Sequence, residues 1–225
     1  MYSLSMKHRP LLWSVSIIAT TWAATAAADS PNLKGAYGFT GTAACLVAPG
    51  SAATGPAPGN TAPLPNAGFN PTTLTPIDGK VFSNSFSVEG IRTFNGDGTG
   101  TAKGTGVEIT VPPTPQPPGY PSFPPGASSE NFSFSFTYTI NGDGSWSSTM
   151  VPGSYSGTIV TGGRAGQTYT IDALPPLTGL ISQNGQTLLV AHTAPTVETL
   201  TFSNGDVWPR ICHRSRVLIN LPNGN

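Results

Sequence analysis

The sequence predicts an all-β fold from three observations: repeated hairpin turns, alternation of apolar and polar residues, and the lack of an amphipathic helix pattern. The tripeptide Asn-Gly-Asp occurs three times, at 95–97, 141–143 and 204–206. Asn and Gly tolerate positive φ, which tight hairpin turns require. Strand-like sequence flanks each copy, so we predict an antiparallel meander.

Alternation with period two is clearest in segments 81–94 and 133–140. The predicted inner faces of these segments are Phe82, Asn84, Phe86 and Val88 in the first, and Phe134, Phe136, Tyr138 and Ile140 in the second. Ser and Thr dominate the opposite faces, which is typical of half-buried antiparallel strands. We expect the core to contain Phe82, Phe86, Phe134, Phe136 and Ile140.

Similar patterns from residue 36 to residue 219 give about eight to ten strands. A sheet of this size must close on itself or divide into two packed sheets. We predict a closed or nearly closed barrel, with a β-sandwich as the alternative. Proline-rich sequence at 48–79 and 112–129 excludes central strands there and predicts long loops.

The two cysteines lie near the two ends of the predicted domain. Cys45 falls on the first strand and Cys212 on the last. In a closed meander these strands are neighbours, so we expect one disulfide across the seam, with two buried free thiols as the alternative.

The N-terminus has the pattern of a secretory signal. Lys7, His8 and Arg9 precede an apolar stretch at 11–25, and three alanines at 26–28 fit the cleavage rule. We therefore predict a signal peptide at 1–28, a single β domain at 29–225, and a secreted or periplasmic location. A retained membrane anchor is the alternative; no later segment is apolar enough to span a bilayer as a helix.

The low charge content limits the choice of partners. Only 9% of the residues are charged, and loss of the leader leaves ten acidic and eight basic side chains. No basic field is available for nucleic acid. The oligomeric state stays open.

Turn glycines and aromatic residues carry a resemblance. The opening Gly-Ala-Tyr-Gly-Phe at 35–39, the Phe-x-Gly-x-Gly turn at 94–98 and the Gly-Ser-Tyr strand at 153–155 resemble a group of exported bacterial β-barrel proteins of unassigned function. These are similar to lipocalin-like barrels. The lipocalin Gly-x-Trp signature is missing, so the resemblance implies no binding residues.

Three arginines form the one concentration of charge. Arg210, Arg214 and Arg216 share a strand face, because their spacing is even, and guanidinium groups in line could clamp a carboxylate or sulfate. Alternatively, they are solvated beside Glu198 or Asp206.

Two histidines remain after the leader. His192 and His213, with Glu198 or Asp172, could form a minimal metal or acid–base site, or they are structural. The sequence contains no HExxH, GxSxG or glycine-rich phosphate loop.

Several aromatic side chains could line a ligand cavity or belong to the core: Trp146, Trp208, Tyr138, Tyr155, Tyr169 and Phe202. The loops at 95–99 and 141–145 place oxygen ligands at alternate positions, but each offers one carboxylate, too few for calcium. We therefore expect no metal and no cofactor.

We expect an exported, non-enzymatic β-barrel protein that binds a small apolar ligand or a surface component. The alternatives are a structural or adhesive cell-surface protein and a small-barrel enzyme, an isomerase or hydrolase. The expected ligand-binding residues are Trp146, Tyr155, Tyr169, His192, Trp208, Arg210, Arg214 and Arg216.

Overall fold

The computed structural model describes residues 33–48, 50–51, 68–77, 81–111 and 126–222. These residues form antiparallel strands and no helix, which confirms the all-β prediction. The strands are β1 (Lys34–Val47), β2 (Gly50–Ser51), β3 (Phe82–Asn95), β4 (Thr99–Val111), β5 (Gly126–Ile140), β6 (Ser145–Met150), β7 (Ser156–Thr161), β8 (Thr168–Ile171), β9 (Leu177–Ile181), β10 (Thr187–Ala191), β11 (Val197–Phe202) and β12 (Asp206–Asn220).

The sheet closes on itself. A ring of hydrogen bonds passes through eight strands in the order β1, β3, β4, β5, β6, β9, β10 and β12, and β12 then pairs with β1. The first and last long strands are therefore neighbours, as predicted for a closed sheet.

The second half of the chain departs from a simple meander. The strands β5 and β12 have 15 residues each, whereas β6, β7, β10 and β11, which pair with them, have only five or six. β5 therefore pairs with β6 through 136–140 and with β7 through 129–133. β12 likewise pairs with β10 through 215–219 and with β11 through 207–211. Strands β7, β8 and β11 thus form a second connection between β5 and β12, at the end where those two strands begin.

The interior is filled mainly by aromatic side chains, and glycines make room for them. Phe39, Gly90, Gly104 and Phe132 lie in one row across four neighbouring strands. The ring centroids of Phe39 and Phe132 are 6.4 Å apart, so the two rings extend over the intervening glycines. Of the predicted core residues, Phe82, Phe134 and Phe136 are buried, and Phe86 and Ile140 are partly buried against the core.

The Asn-Gly-Asp segments are turns, as predicted. In the first, Asp97 Oδ1 accepts hydrogen bonds from Thr99 N and Thr99 Oγ1 at 2.9 and 2.6 Å. Asp143 makes the same two bonds to Ser145. These bonds lower the pKa of both carboxyl groups.

The predicted leader at 1–28 and most of the two proline-rich segments lie outside the described residues. β5 begins at Gly126, within the segment predicted as loop, and β2 and a bridge between Phe69 and Pro76 lie within the other. Backbone pairing on the edge of β12 accounts for β2, since its two residues lie opposite Asp206 and Val207. In the described part of the chain, no helix has the length and apolar character needed to span a membrane.

A disulfide joins Cys45 and Cys212, which confirms the predicted pairing. The two residues lie directly opposite each other on β1 and β12, with Cα atoms 4.1 Å apart. A close pair of this kind brings two side chains together across an antiparallel ladder. The bond therefore closes a loop with a sequence separation of 167 residues at the seam of the ring.

We predict that removing the disulfide destabilises the protein without changing the fold. Replacing Cys45 and Cys212 together by Ala should lower the free energy of unfolding by about 2–5 kcal/mol, because the unfolded chain is no longer constrained. Urea unfolding followed by circular dichroism measures the change. Equal unfolding midpoints for the double variant and the oxidised parent would contradict the assigned role.

We predict that Gly104→Ala destabilises the aromatic row. An added Cβ would lie 2.2 Å from the Glu89 carbonyl oxygen and 2.9 Å from Phe132 Cζ. The loss should be about 1–3 kcal/mol, as for other overpacked interiors. Gly142→Ala is the control, since its Cβ would meet nothing within 4 Å. Similar unfolding midpoints for the two variants would show that the row is not tightly packed.

Candidate binding site

Even-numbered residues of β12 point into the closed sheet. Trp208, Cys212 and Leu218 are buried, and the three arginines share their parity. The exposed fractions of Arg210, Arg214 and Arg216 are 6%, 4% and 8%. The predicted common face is therefore present, but it faces the interior, and the solvated alternative is wrong.

Glycines on neighbouring strands leave space for these long side chains. Arg216 lies opposite Gly41, and a Cβ on that glycine would be 2.4 Å from Arg216 Cγ. The same row continues through Val88 and Gly106 to Glu130 on β5. In this row, charged side chains therefore lie across the inner surface of the sheet, whereas aromatic rings fill the corresponding space in other rows.

Glu198 is the counter-ion shared by two of the arginines. It is 1% exposed and pairs in register with Arg210, while Arg210 Nε and Arg214 Nη2 both donate to its Oε1 atom. Burial alone would raise the pKa of Glu198, but the charges of Arg214 and Arg210 and their hydrogen bonds outweigh burial and hold the pKa at about 2. Glu198 is thus ionised at any physiological pH.

Two further buried arginines lack such a partner among the described residues. Arg92, on β3, is 1% exposed and lies over the rings of Phe136 and Phe134, with Nη1 3.4 Å from Ser148 Oγ. Burial and the charge of Arg216 lower its pKa to about 9. Burial and the charge of Arg214 likewise lower the pKa of Arg216 to about 10. Both pKa values are lowered because the positive charges of Arg92 and Arg216 are buried without a carboxylate within salt-bridge distance among the described residues.

A pocket of about 320 Å³ lies at the end of the sheet where β5 and β12 begin. We call it the end pocket. Its apolar wall comes from the last strands and β7, namely Ile159, Leu200, Phe202 and Trp208. The described residues that flank the segment at 112–125, Val111 and Gly126, lie at this end of the sheet as well.

Glu130 and Tyr169 form the polar part of the end pocket near the interior. The Tyr169 hydroxyl donates to Glu130 Oε2 at 2.5 Å and lies 3.2 Å from the Tyr155 hydroxyl. Burial raises the pKa of Glu130 and, more strongly, the pKa values of both tyrosines. The tyrosines therefore stay neutral and act as hydrogen-bond donors.

Arg164 and Glu108 bound the end pocket toward solvent. The Arg164 guanidinium lies 4.2 Å from the centroid of Trp208 and pairs with Asp206 at 2.9 Å. Glu108 Oε1 accepts a hydrogen bond from Asn84 Nδ2 at 2.5 Å. The pocket thus combines an apolar wall with a few fixed polar groups, which is the usual composition of a small-molecule site.

Seven of the eight predicted ligand-binding residues divide into three groups. Tyr169 and Trp208 line the end pocket, whereas Tyr155 and the three arginines lie behind it in the interior. Trp146 is buried in the core against Phe94, with ring centroids 6.5 Å apart, and does not reach this pocket.

The two histidines do not join the arginines in one cavity. His192 is half-buried, with Nδ1 3.3 Å from the Cys212 carbonyl oxygen, and burial lowers its pKa. His213 and Asp172 are exposed. In the described ranges no three His, Cys, Asp or Glu side chains are grouped as metal ligands.

Sequence reasoning missed Glu108, Glu130, Arg92 and Arg164. Strand parity could have revealed two of them. Arg92 continues the inward series of Phe82 and Val88, and Glu130 continues the inward series of Phe134 and Phe136. The predicted strand began only at residue 133, so Glu130 was not recognised as part of the second series.

Comparison with known proteins found no relative. No protein-family model, no curated protein and no solved structure matches the chain. Its class is therefore defined by its own structure, as a closed antiparallel sheet with a charged interior and a pocket at one end.

We predict that Glu198→Gln is strongly destabilising. Loss of the carboxylate leaves Arg210 and Arg214 buried without a counter-ion, which should cost about 3–5 kcal/mol in free energy of unfolding. Glu89→Gln on the exposed outer face of β3 is the matched control. Urea unfolding at neutral pH should separate the two variants clearly.

The same variant should change the acid limb of stability. The pKa of Glu198 is about 2 in the folded protein and 4.5 without interactions, so its stabilisation is complete above pH 4.5 and lost as pH falls toward 2. The pKa of Glu130 is raised in the folded protein, so this residue lowers the free energy of unfolding as pH rises above 4.5. If the free energy of unfolding changes equally with pH in the parent and in Glu198→Gln between pH 2 and pH 4.5, the ion pair is ruled out.

Proposed function

We propose that the protein is exported and binds a small, largely apolar ligand in the end pocket. The observation that carries the proposal is a cavity of about 320 Å³ walled by Leu200, Phe202 and Trp208, beside a core filled mainly by aromatic side chains. Burial of apolar ligand surface against these side chains supplies the binding free energy, at about 25 cal/mol per Å². The disulfide is compatible with export.

The polar groups of the pocket define the kind of ligand further. Glu130 and the Tyr169 hydroxyl are hydrogen-bonded to each other in the pocket wall, and Arg164 is paired with Asp206. A ligand with one hydrogen-bonding group and an apolar body fits this arrangement, because the polar group would meet Glu130 and Tyr169 while the body contacts Trp208.

A neutral apolar fluorophore, N-phenyl-1-naphthylamine, tests the pocket without knowledge of the natural ligand. The parent protein should bind it with enhanced fluorescence. Ser128→Trp should weaken binding by about tenfold or more, equivalent to about 1.4 kcal/mol, because the indole would occupy the pocket that Ser128 lines. Ser133→Trp on the exposed outer face of the same strand is the control.

Equal binding by the two tryptophan variants would place the dye elsewhere and contradict the proposal, as would a parent protein that binds no dye. Native mass spectrometry of the gently purified parent should also show a retained small molecule, which dye-displacement can then match to the pocket.

A further inference from the structure

A second, small cavity lies among the buried arginines and shares only Glu130 with the lining of the end pocket. Its volume is about 20 Å³, and its walls include Arg210, Arg214, Arg216 and Glu130 together with the apolar rings of Phe86 and Phe132. This volume accommodates one particle of the size of a water molecule. A polyatomic anion such as sulfate or phosphate is too large.

Two guanidinium nitrogens on residues that line this cavity have no hydrogen-bond partner in the described part of the chain. They are Arg214 Nη1 and Arg216 Nη1, both on residues that are more than nine-tenths buried. Buried donors are rarely left unpaired, because they lose their hydrogen bonds to water without replacement. Both donors therefore call for an acceptor inside the cavity.

The charge balance of the interior indicates that this acceptor is negative. Among the described residues, the four buried arginines make ion pairs only with Glu198, through Arg210 and Arg214. Arg216 has no carboxylate within salt-bridge distance and lies over the ring of Phe39. An uncompensated buried charge is strongly unfavourable, whereas an anion beside it removes the penalty.

We propose that this cavity binds a single halide ion, chloride in a natural environment, held by the Nη1 atoms of Arg214 and Arg216. Chloride is only slightly larger than water, and the apolar rings on the other walls suit a weakly hydrated anion. Of the described residues on the cavity wall, Glu130 is the one carboxylate, and its Oε2 atom accepts a hydrogen bond from the Tyr169 hydroxyl.

Halide-dependent stability tests the site. Unfolding is measured in sodium chloride and in sodium gluconate at equal ionic strength, so that general screening is matched. Once the site is nearly saturated, each tenfold rise in chloride should raise the folding constant about tenfold. Arg216→Gln should lose this dependence. Arg92→Gln, an equally buried arginine outside the cavity, should keep it.

Bromide gives a direct readout that needs no variant. Crystals of the parent protein grown in sodium bromide should show an anomalous peak between Arg214 and Arg216. An ordered water without anomalous signal there, with bromide found only at the surface, would overturn the proposal. So would equal stability in chloride and gluconate. Because these measurements use no apolar ligand, their outcome is independent of dye binding in the end pocket.

Discussion

Pairing of β1 with β12 is the constraint on which the remaining structure depends. Eleven residues of β1 lie opposite eleven of β12, from Tyr37 opposite Asn220 to Val47 opposite Arg210. This pairing turns an open sheet with two free edges into a ring, and Cys45 and Cys212 bond covalently within it. On its other edge β12 pairs with β10 and with β11, so this one strand contacts β1 on one side and two short strands on the other.

Closure of the sheet also determines that the arginine side chains of β12 are buried. Once both edges of β12 are paired, every second side chain must enter the interior, and Arg210, Arg214 and Arg216 enter with Cys212. The protein accommodates them through Glu198 on β11, through aromatic faces, and through glycines that leave space on neighbouring strands. The end pocket forms at the end where this polar interior meets solvent, and Glu130 belongs to both the pocket and the arginine cavity.

Local features were predictable, whereas pairing between distant short strands was not. Alternating Phe and Tyr residues and the Asn-Gly-Asp turns placed β3 and the second half of β5 correctly, because period two and turn chemistry are local. The positions of Cys45 and Cys212 also predicted the seam. The pairing of β5 with two different strands, β6 and β7, depends on the register between segments distant in the chain, for which no local signal exists. The inward direction of the arginines followed from the parity of Cys212, but arginines are so rarely buried that solvation was a reasonable alternative.

Amide hydrogen exchange along the seam tests the closed ring most directly. If β1 and β12 are paired as described, the amides that β1 directs toward β12 exchange only through global unfolding, at the same free energy as the amides between β3 and β4. Fast exchange of those β1 amides in the disulfide-bonded protein, with slow exchange retained between β3 and β4, would show that the sheet is open at the seam. That result would contradict the account in which closure of the sheet encloses the buried arginines.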